Sequence, residues 1–273
     1  MHRVGFIGLG SQGAPIARRI VGAGFPTTLW ARRAATVESF ADTAAAYADS
    51  PAALAKASDV VFVCVVNDAD VEAVVAGADG VLAGLGEGGL IVVHSTVHPE
   101  TCRRLAERAA RQGVTLLDAP VSGGGPAASE GRLLVMAGGD AAAVESCRPI
   151  FSSYANPVLH LGAVGAGQVA KLLNNALFTA GLSITAGAYA LGRDLGVDQG
   201  SLGQVFANGS ARSFAAETVG MMGASLESLG DVAGELLRKD VRLVVELAEA
   251  AGVDPGPVLP PADNALTAMR HPR

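Results

Sequence analysis

The chain has 273 residues, 26 acidic against 20 basic, and a formal net charge of −6. Only 17% of residues are charged and half are hydrophobic, which excludes a disordered chain, and no long basic run offers a surface to nucleic acid. Such a length forms one large or two modest domains with a real core.

Residues 3–8 (RVGFIG) read as a buried strand, 14–23 as a helix, 27–31 as a second strand and 35–41 as another helix. The seven apolar residues at 60–66 (VVFVCVV) are too few for an isolated helix and suit a strand covered on both faces. A strand at 90–94, a helix at 99–112 with Arg and Glu on its polar face, and strands at 115–118 and 133–137 complete the first part. Strands alternating with helices of about 10–15 residues predict parallel βαβ units with right-handed crossovers, an α/β doubly wound sheet. After Gly162 the pattern turns helical, with segments at 168–192, 195–208, 211–226 and 230–251. A proline-rich break at 255–261 then leaves room for at most one short helix. The expected division is a dinucleotide-binding domain at 1–162 and an all-α domain at 163–273.

Two features that resemble targeting signals are read otherwise. The N-terminal apolar run is broken by Gly8, Gly10, Ser11 and Gln12, and Arg18 and Arg19 stand where a signal peptide would be cleaved. The uncharged stretch between Lys171 and Arg193 has the length of a membrane span, but Asn174, Asn175, Thr179, Ser183 and Thr185 make it a buried helix. A cytoplasmic location with no membrane partner is expected. Cys64, Cys102 and Cys147 lie far apart without CxxC or HxxxH patterns, so they read as small buried hydrophobes, and no metal site is expected. Asp68, Asp70 and Glu72 read as a solvated loop and helix start rather than metal ligands, and His160 and His271 lie outside any motif.

Gly8-Leu9-Gly10-Ser11-Gln12-Gly13 fits G-x-G-x-x-G after a predicted strand and at the head of a predicted helix. Gly8 permits the tight turn, Gly10 lets backbone approach a pyrophosphate, and Gly13 lets helix pack on strand, while the helix N-terminus faces the anion. The second strand ends Leu29-Trp30-Ala31-Arg32-Arg33 with no carboxylate for the ribose hydroxyls. Two guanidiniums there suit a 2′-phosphate, so NADP is favoured, with NAD possible. Asp118-Ala-Pro-Val-Ser-Gly-Gly-Gly125 follows a strand, and Ser122 with the amides of Gly123 and Gly124 can bind a carboxylate. Lys171 begins the uncharged helix, and Asn175, four residues on, shares its face. A lysine near an apolar interior loses its charge readily and suits proton exchange with an oxygen, though a structural role at a domain boundary is the alternative.

Taken in order, GFIGLGSQGAPIA, STVHP at 95–99, DAPVSGG, GAGQVAKLLNN and LLRKD at 236–240 resemble the β-hydroxyacid dehydrogenase family over nearly the whole chain. The resemblance implies a Rossmann domain, a long interdomain helix and an all-α domain that pairs subunits as a homodimer or homotetramer. It implies Lys171 as general acid/base, Ser122, Gly123, Gly124 and Asn175 on a small carboxylate-bearing substrate, and Thr96 and Lys239 against the cofactor. Val65 and Val66 join the cofactor set with the turn residues and Arg32 and Arg33. Gln12 stands where the family most often has Met, Val66 where Pro is usual, His94 where an acid is common, and Pro126 follows the glycine run. The implied reaction is hydride exchange between nicotinamide and a small 3-hydroxy acid or its semialdehyde. An imine reductase would typically replace Lys171 by Asp or Tyr, and a non-catalytic binding module would have lost the lysine and gained further domains.

Overall fold

The computed structural model describes residues 1–273, apart from the side chain of Ala34. Strands β1 (Val4–Ile7), β2 (Thr27–Trp30), β3 (Ala46–Tyr47), β4 (Val60–Val63), β5 (Leu90–Val93) and β6 (Thr115–Asp118) form one parallel sheet in the order β3-β2-β1-β4-β5-β6. Helices α1 (Gly13–Gly22), α2 (Ala34–Glu38), α3 (Pro51–Lys56), α4 (Asp68–Ala76) and α5 (Pro99–Ala110) carry the chain between them. Val4 of β1 lies opposite Thr27 on one side and Val60 on the other. The strand order reverses there, and open α/β sheets bind ligands beyond the strand C-termini at such a point.

Side chains alternate along a strand, so a strand covered on both faces feeds two cores. Phe6, Phe62 and Val92 pack with Ile16 and Ile20 of α1, whereas Ile7, Val61, Val63 and Ile91 pack with Leu54, Val71 and Leu105 of α3, α4 and α5. Each such side chain contributes about 1.5–3 kcal/mol on burial. This explains why these strands read as unbroken apolar runs.

Two strand expectations change. The run at 60–66 leaves the ladder after Cys64, whose N–H donates to Ile7 O at 2.8 Å. Val65 N–H instead donates to Ser95 Oγ at 2.8 Å, and Val66 is 66% exposed, so composition carried the run beyond its pairing. Residues 133–137 do not extend the main sheet. As β8 (Leu133–Ala137) they pair antiparallel with β7 (Val121–Ser122) and parallel with β9 (Ala155–His160) in a separate sheet. Helices α6 (Gly124–Ser129) and α7 (Ala141–Phe151) complete this region. β9 escapes a pattern reading because it is a largely exposed edge containing Asn156, Pro157 and His160.

Helix α8 (Ala166–Asp194) runs for 29 residues. It is followed by α9 (Gln199–Asn208), α10 (Phe214–Met221), α11 (Glu227–Leu229), a π-turn at Gly230–Gly234, α12 (Glu235–Ala251) and α13 (Leu259–Ala268). The proline-rich break holds a helix start: Pro260 and Pro261 sit in the first turn of α13, where no N–H is needed. The chain divides into compact units Met1–Lys171 and Leu172–Arg273, the second built on Leu182, Tyr189, Val219, Val241 and Leu266. Among the described residues no helix is long and apolar enough to cross a membrane.

His94 is a core residue of the first unit, 2% exposed. Its Nδ1 lies 2.5 Å from Ala119 O and its Nε2 2.8 Å from the Tyr154 hydroxyl, with Phe62 and Phe151 against the ring. Those partners assign a neutral imidazole that donates from Nδ1 and accepts at Nε2. Burial lowers its pKa from 6.5 to about 4. The folded state therefore binds fewer protons than the unfolded one between those values, so this contribution is intact above pH 6.5 and is lost as pH falls toward 4. The expected loss between pH 7 and pH 5 is about 2 kcal/mol, read from urea midpoints. His94→Gln should reduce that pH dependence by the same amount; an unchanged dependence would remove His94 as its source.

Candidate active site

The glycine turn joins β1 to α1. Gly8 has φ +95°, and a Cβ there would lie 2.1 Å from Cys64 O, while a Cβ on Gly13 would lie 1.9 Å from Gly8 O. Only glycine lets strand, turn and helix approach this closely. No heavy atom lies within 4 Å of a Cβ built on Gly10, so its backbone is open to a ligand. Gln12, the residue before α1, makes no side-chain cap, and the first turn holds no acid. Its Nε2 is buried without a hydrogen-bond partner among the described residues. Leu9 is buried beneath the turn and Ser11 is exposed.

Gly8, Gly10, Trp30, Arg32, Arg33 and Val65 are among the residues lining a cavity of about 580 Å3. Its size lies within the range of ligand pockets. The open turn, the uncapped helix N-terminus and the two arginines fit a dinucleotide. The cavity also contains Asp70, whose Oδ1 lies 3.1 Å from Arg32 Nη1. The other acids of that stretch are engaged too: Asp68 accepts from His98 N–H at 2.9 Å, and Glu72 pairs with Arg104.

The end of β6 positions two further elements. Asp118, fully buried, accepts from the N–H groups of Gly165 at 2.6 Å and Gln168 at 2.8 Å, capping the start of α8. Burial raises its carboxyl pKa against the opposing effect of these donors. The Gln168 side chain donates to Ser95 O at 2.8 Å and accepts from Val97 N–H at 3.1 Å, bracketing Thr96. Lys171, half-buried, follows on the second turn of this helix. Beyond β6, Ser122 pairs with Leu134, and Gly123 and Gly124 have φ of +127° and +70°. A Cβ on Gly125 would lie 3.0 Å from Ser11 O, so this loop meets the glycine turn.

Asn175 and Lys239 belong to the helical unit and are joined there by Asp240, which is fully buried. Asn175 Nδ2 donates to Asp240 Oδ2 at 2.6 Å, and Lys239 Nζ lies 2.8 Å from Oδ1 as an ion pair without hydrogen-bond alignment. Asp118, Gln168, Asp240 and the role of Asp70 were not assigned from sequence. A carboxylate ending the apolar run of β6 was a signal, as was Asp240 three residues after Leu237 on the buried face of α12. Nothing local in the sequence pairs Asp70 with Arg32.

The family model for the NAD-binding domain of 6-phosphogluconate dehydrogenase matches residues 3–162. That described as the NAD-binding of NADP-dependent 3-hydroxyisobutyrate dehydrogenase matches 165–270. The chain is 34% identical to an NAD-dependent L-serine dehydrogenase of Pseudomonas aeruginosa over 92% of its own length and 87% of the relative's. It is 35% identical to a 3-hydroxyisobutyrate dehydrogenase of the same organism, covering 92% and 86%. The solved structure of Mycobacterium tuberculosis 3-hydroxyisobutyrate dehydrogenase with L-serine superposes with a TM-score of 0.83 at 26% identity, covering 98% of this chain and 92% of that one. A sheet in the strand order typical of the Rossmann fold, followed by a helical half matched by its own family model, places the chain in the β-hydroxyacid dehydrogenase family as an NAD(P)-dependent enzyme.

Proposed function

We propose that the chain exchanges hydride between NADP(H) and a small 3-hydroxy acid or its semialdehyde, with Lys171 as general acid/base. The observation that carries this reading is the shared origin of two elements at the end of β6. Asp118 anchors the helix of Lys171, and the next residues form the loop of Ser122, Gly123 and Gly124 that meets the glycine turn at Ser11. Bound nicotinamide supplies or accepts the hydride. Lys171 takes the hydroxyl proton on oxidation and returns it to the carbonyl oxygen on reduction. Ser122 and the Gly123 and Gly124 amides hold the carboxylate, and Asn175, oriented by Asp240, steadies the reacting oxygen. Leu9, Ser11, Gln12, Val65, Val66, Thr96 and Lys239 complete the cofactor set, with residues 1–162 serving the nucleotide and 163–273 the substrate and subunit pairing.

The pairing assignment is supported by α8, where Leu177, Ile184 and Leu191 recur at seven-residue intervals and are 68%, 63% and 60% exposed. A second copy covering this stripe gives a homodimer, and a further contact between two dimers would give a homotetramer. A cytoplasmic location fits the proposed metabolic substrate.

A panel of 3-hydroxy acids, semialdehydes, 2-keto acids and cyclic imines tests the reaction. Turnover should be confined to compounds whose carboxylate is separated from the reacting carbon by one intervening carbon. Preferred turnover of uncharged cyclic imines would overturn the assignment.

A further inference from the structure

The second strand ends in two arginines and no carboxylate, yet its cavity is not purely basic. Asp70, from the first turn of α4, lines it with Arg32, Arg33 and Thr36. Its side chain is 20% exposed, against 68% for the partner Arg32. Asp70 is also the better anchored of the two, because its N–H donates to Asn67 Oδ1 at 2.9 Å in the cap of α4. The carboxylate is thus the fixed member of the pair and the guanidinium the adaptable one.

We propose that Asp70 determines nucleotide preference, standing in for the carboxylate absent from the end of β2 and holding Arg32 between two uses. A dinucleotide with a free ribose 2′-hydroxyl gives Asp70 a donor to accept from, the role usually filled at the strand end. A 2′-phosphate instead recruits Arg32 and Arg33, and the Asp70 charge opposes it while sharing Arg32. The chain consequently accepts both nucleotides, with the preference for NADP held down by Asp70. This inference rests on the reading of Arg32 and Arg33 as 2′-phosphate ligands.

Trp30 is the sole tryptophan and lines the same cavity, so quenching of its fluorescence reports binding without turnover. Titrations with NADPH and NADH would be run on the full chain, Asp70→Asn, Asp70→Ser and the double variant Arg32→Ala/Arg33→Ala. Removing the carboxylate should lower the Kd for NADPH by about tenfold and raise that for NADH by about threefold, each a shift of the size expected for one charged contact. A ratio of the two constants that stays within about twofold of the parent in both Asp70 variants would overturn the proposal. If the double arginine variant binds NADPH as the parent does, the arginine reading fails. Asp70 is then judged on NADH alone: weaker binding in Asp70→Asn supports its ribose role, and unchanged binding overturns it.

Discussion

Lys171→Ala should lower kcat by about a thousandfold, the size of a lost general acid/base. NADPH binding should remain within about threefold of the parent, because uniform binding and proton transfer are separable losses. Lys171 is half-buried on the second turn of α8, and it is not among the residues lining the cavity of Arg32 and Arg33. Lys171→Arg should be equally inactive, since a guanidinium keeps its proton throughout the working pH range. Steady-state kinetics with Trp30 fluorescence titrations separates the two effects. A kcat within about tenfold of the parent in both variants would return Lys171 to a structural role.

Asp118→Ala should cost about 4 kcal/mol of stability. Gly165 and Gln168 would lose a charged acceptor in a fully buried position, and each buried donor left unpaired costs about 1–3 kcal/mol, more where the lost partner is ionised. Asp118→Asn keeps one acceptor oxygen and should lose about half as much. Urea unfolding at pH 7 measures both. A loss under about 1 kcal/mol in the alanine variant would show that water replaces the carboxylate at the start of α8. The cap matters beyond stability, because Gln168 in the same turn ties that start to Ser95 and Val97 around Thr96. A frayed first turn therefore loosens the loop and Lys171 together, and kcat should fall before unfolding is detected.

Four strands of the main sheet were legible because they are covered on both faces and read as apolar runs at 3–8, 60–66, 90–94 and 115–118, whereas the exposed two-residue edge β3 was not anticipated. The helical half was legible because no breaker interrupts α8. Where expectations slipped, composition and pairing diverged: Val65 and Val66 are apolar but outside the ladder, and β9 is in a ladder without being apolar. The second sheet was illegible for a further reason, that strand order depends on partners remote in sequence, and β8 finds its own in β7 and β9.

The sequence alone determined the dinucleotide turn, since glycines at 8 and 13 follow from backbone geometry that no other residue satisfies as readily, while Gly10 leaves its backbone open. It also marked Lys171, Asn175 and the Ser122 loop, because spacing along one helix or one turn is a local property. What surrounds those residues was decided by tertiary structure. Arg32 and Asp70 lie 38 residues apart, Asp118 and Gln168 50, and Asn175 and Asp240 65, yet each pair is in contact. A carboxylate expects a partner wherever it is buried, but only packing chooses which one. That choice turned Asp70 from a solvated acid at a helix start into the charge facing Arg32 in the cavity beyond β2.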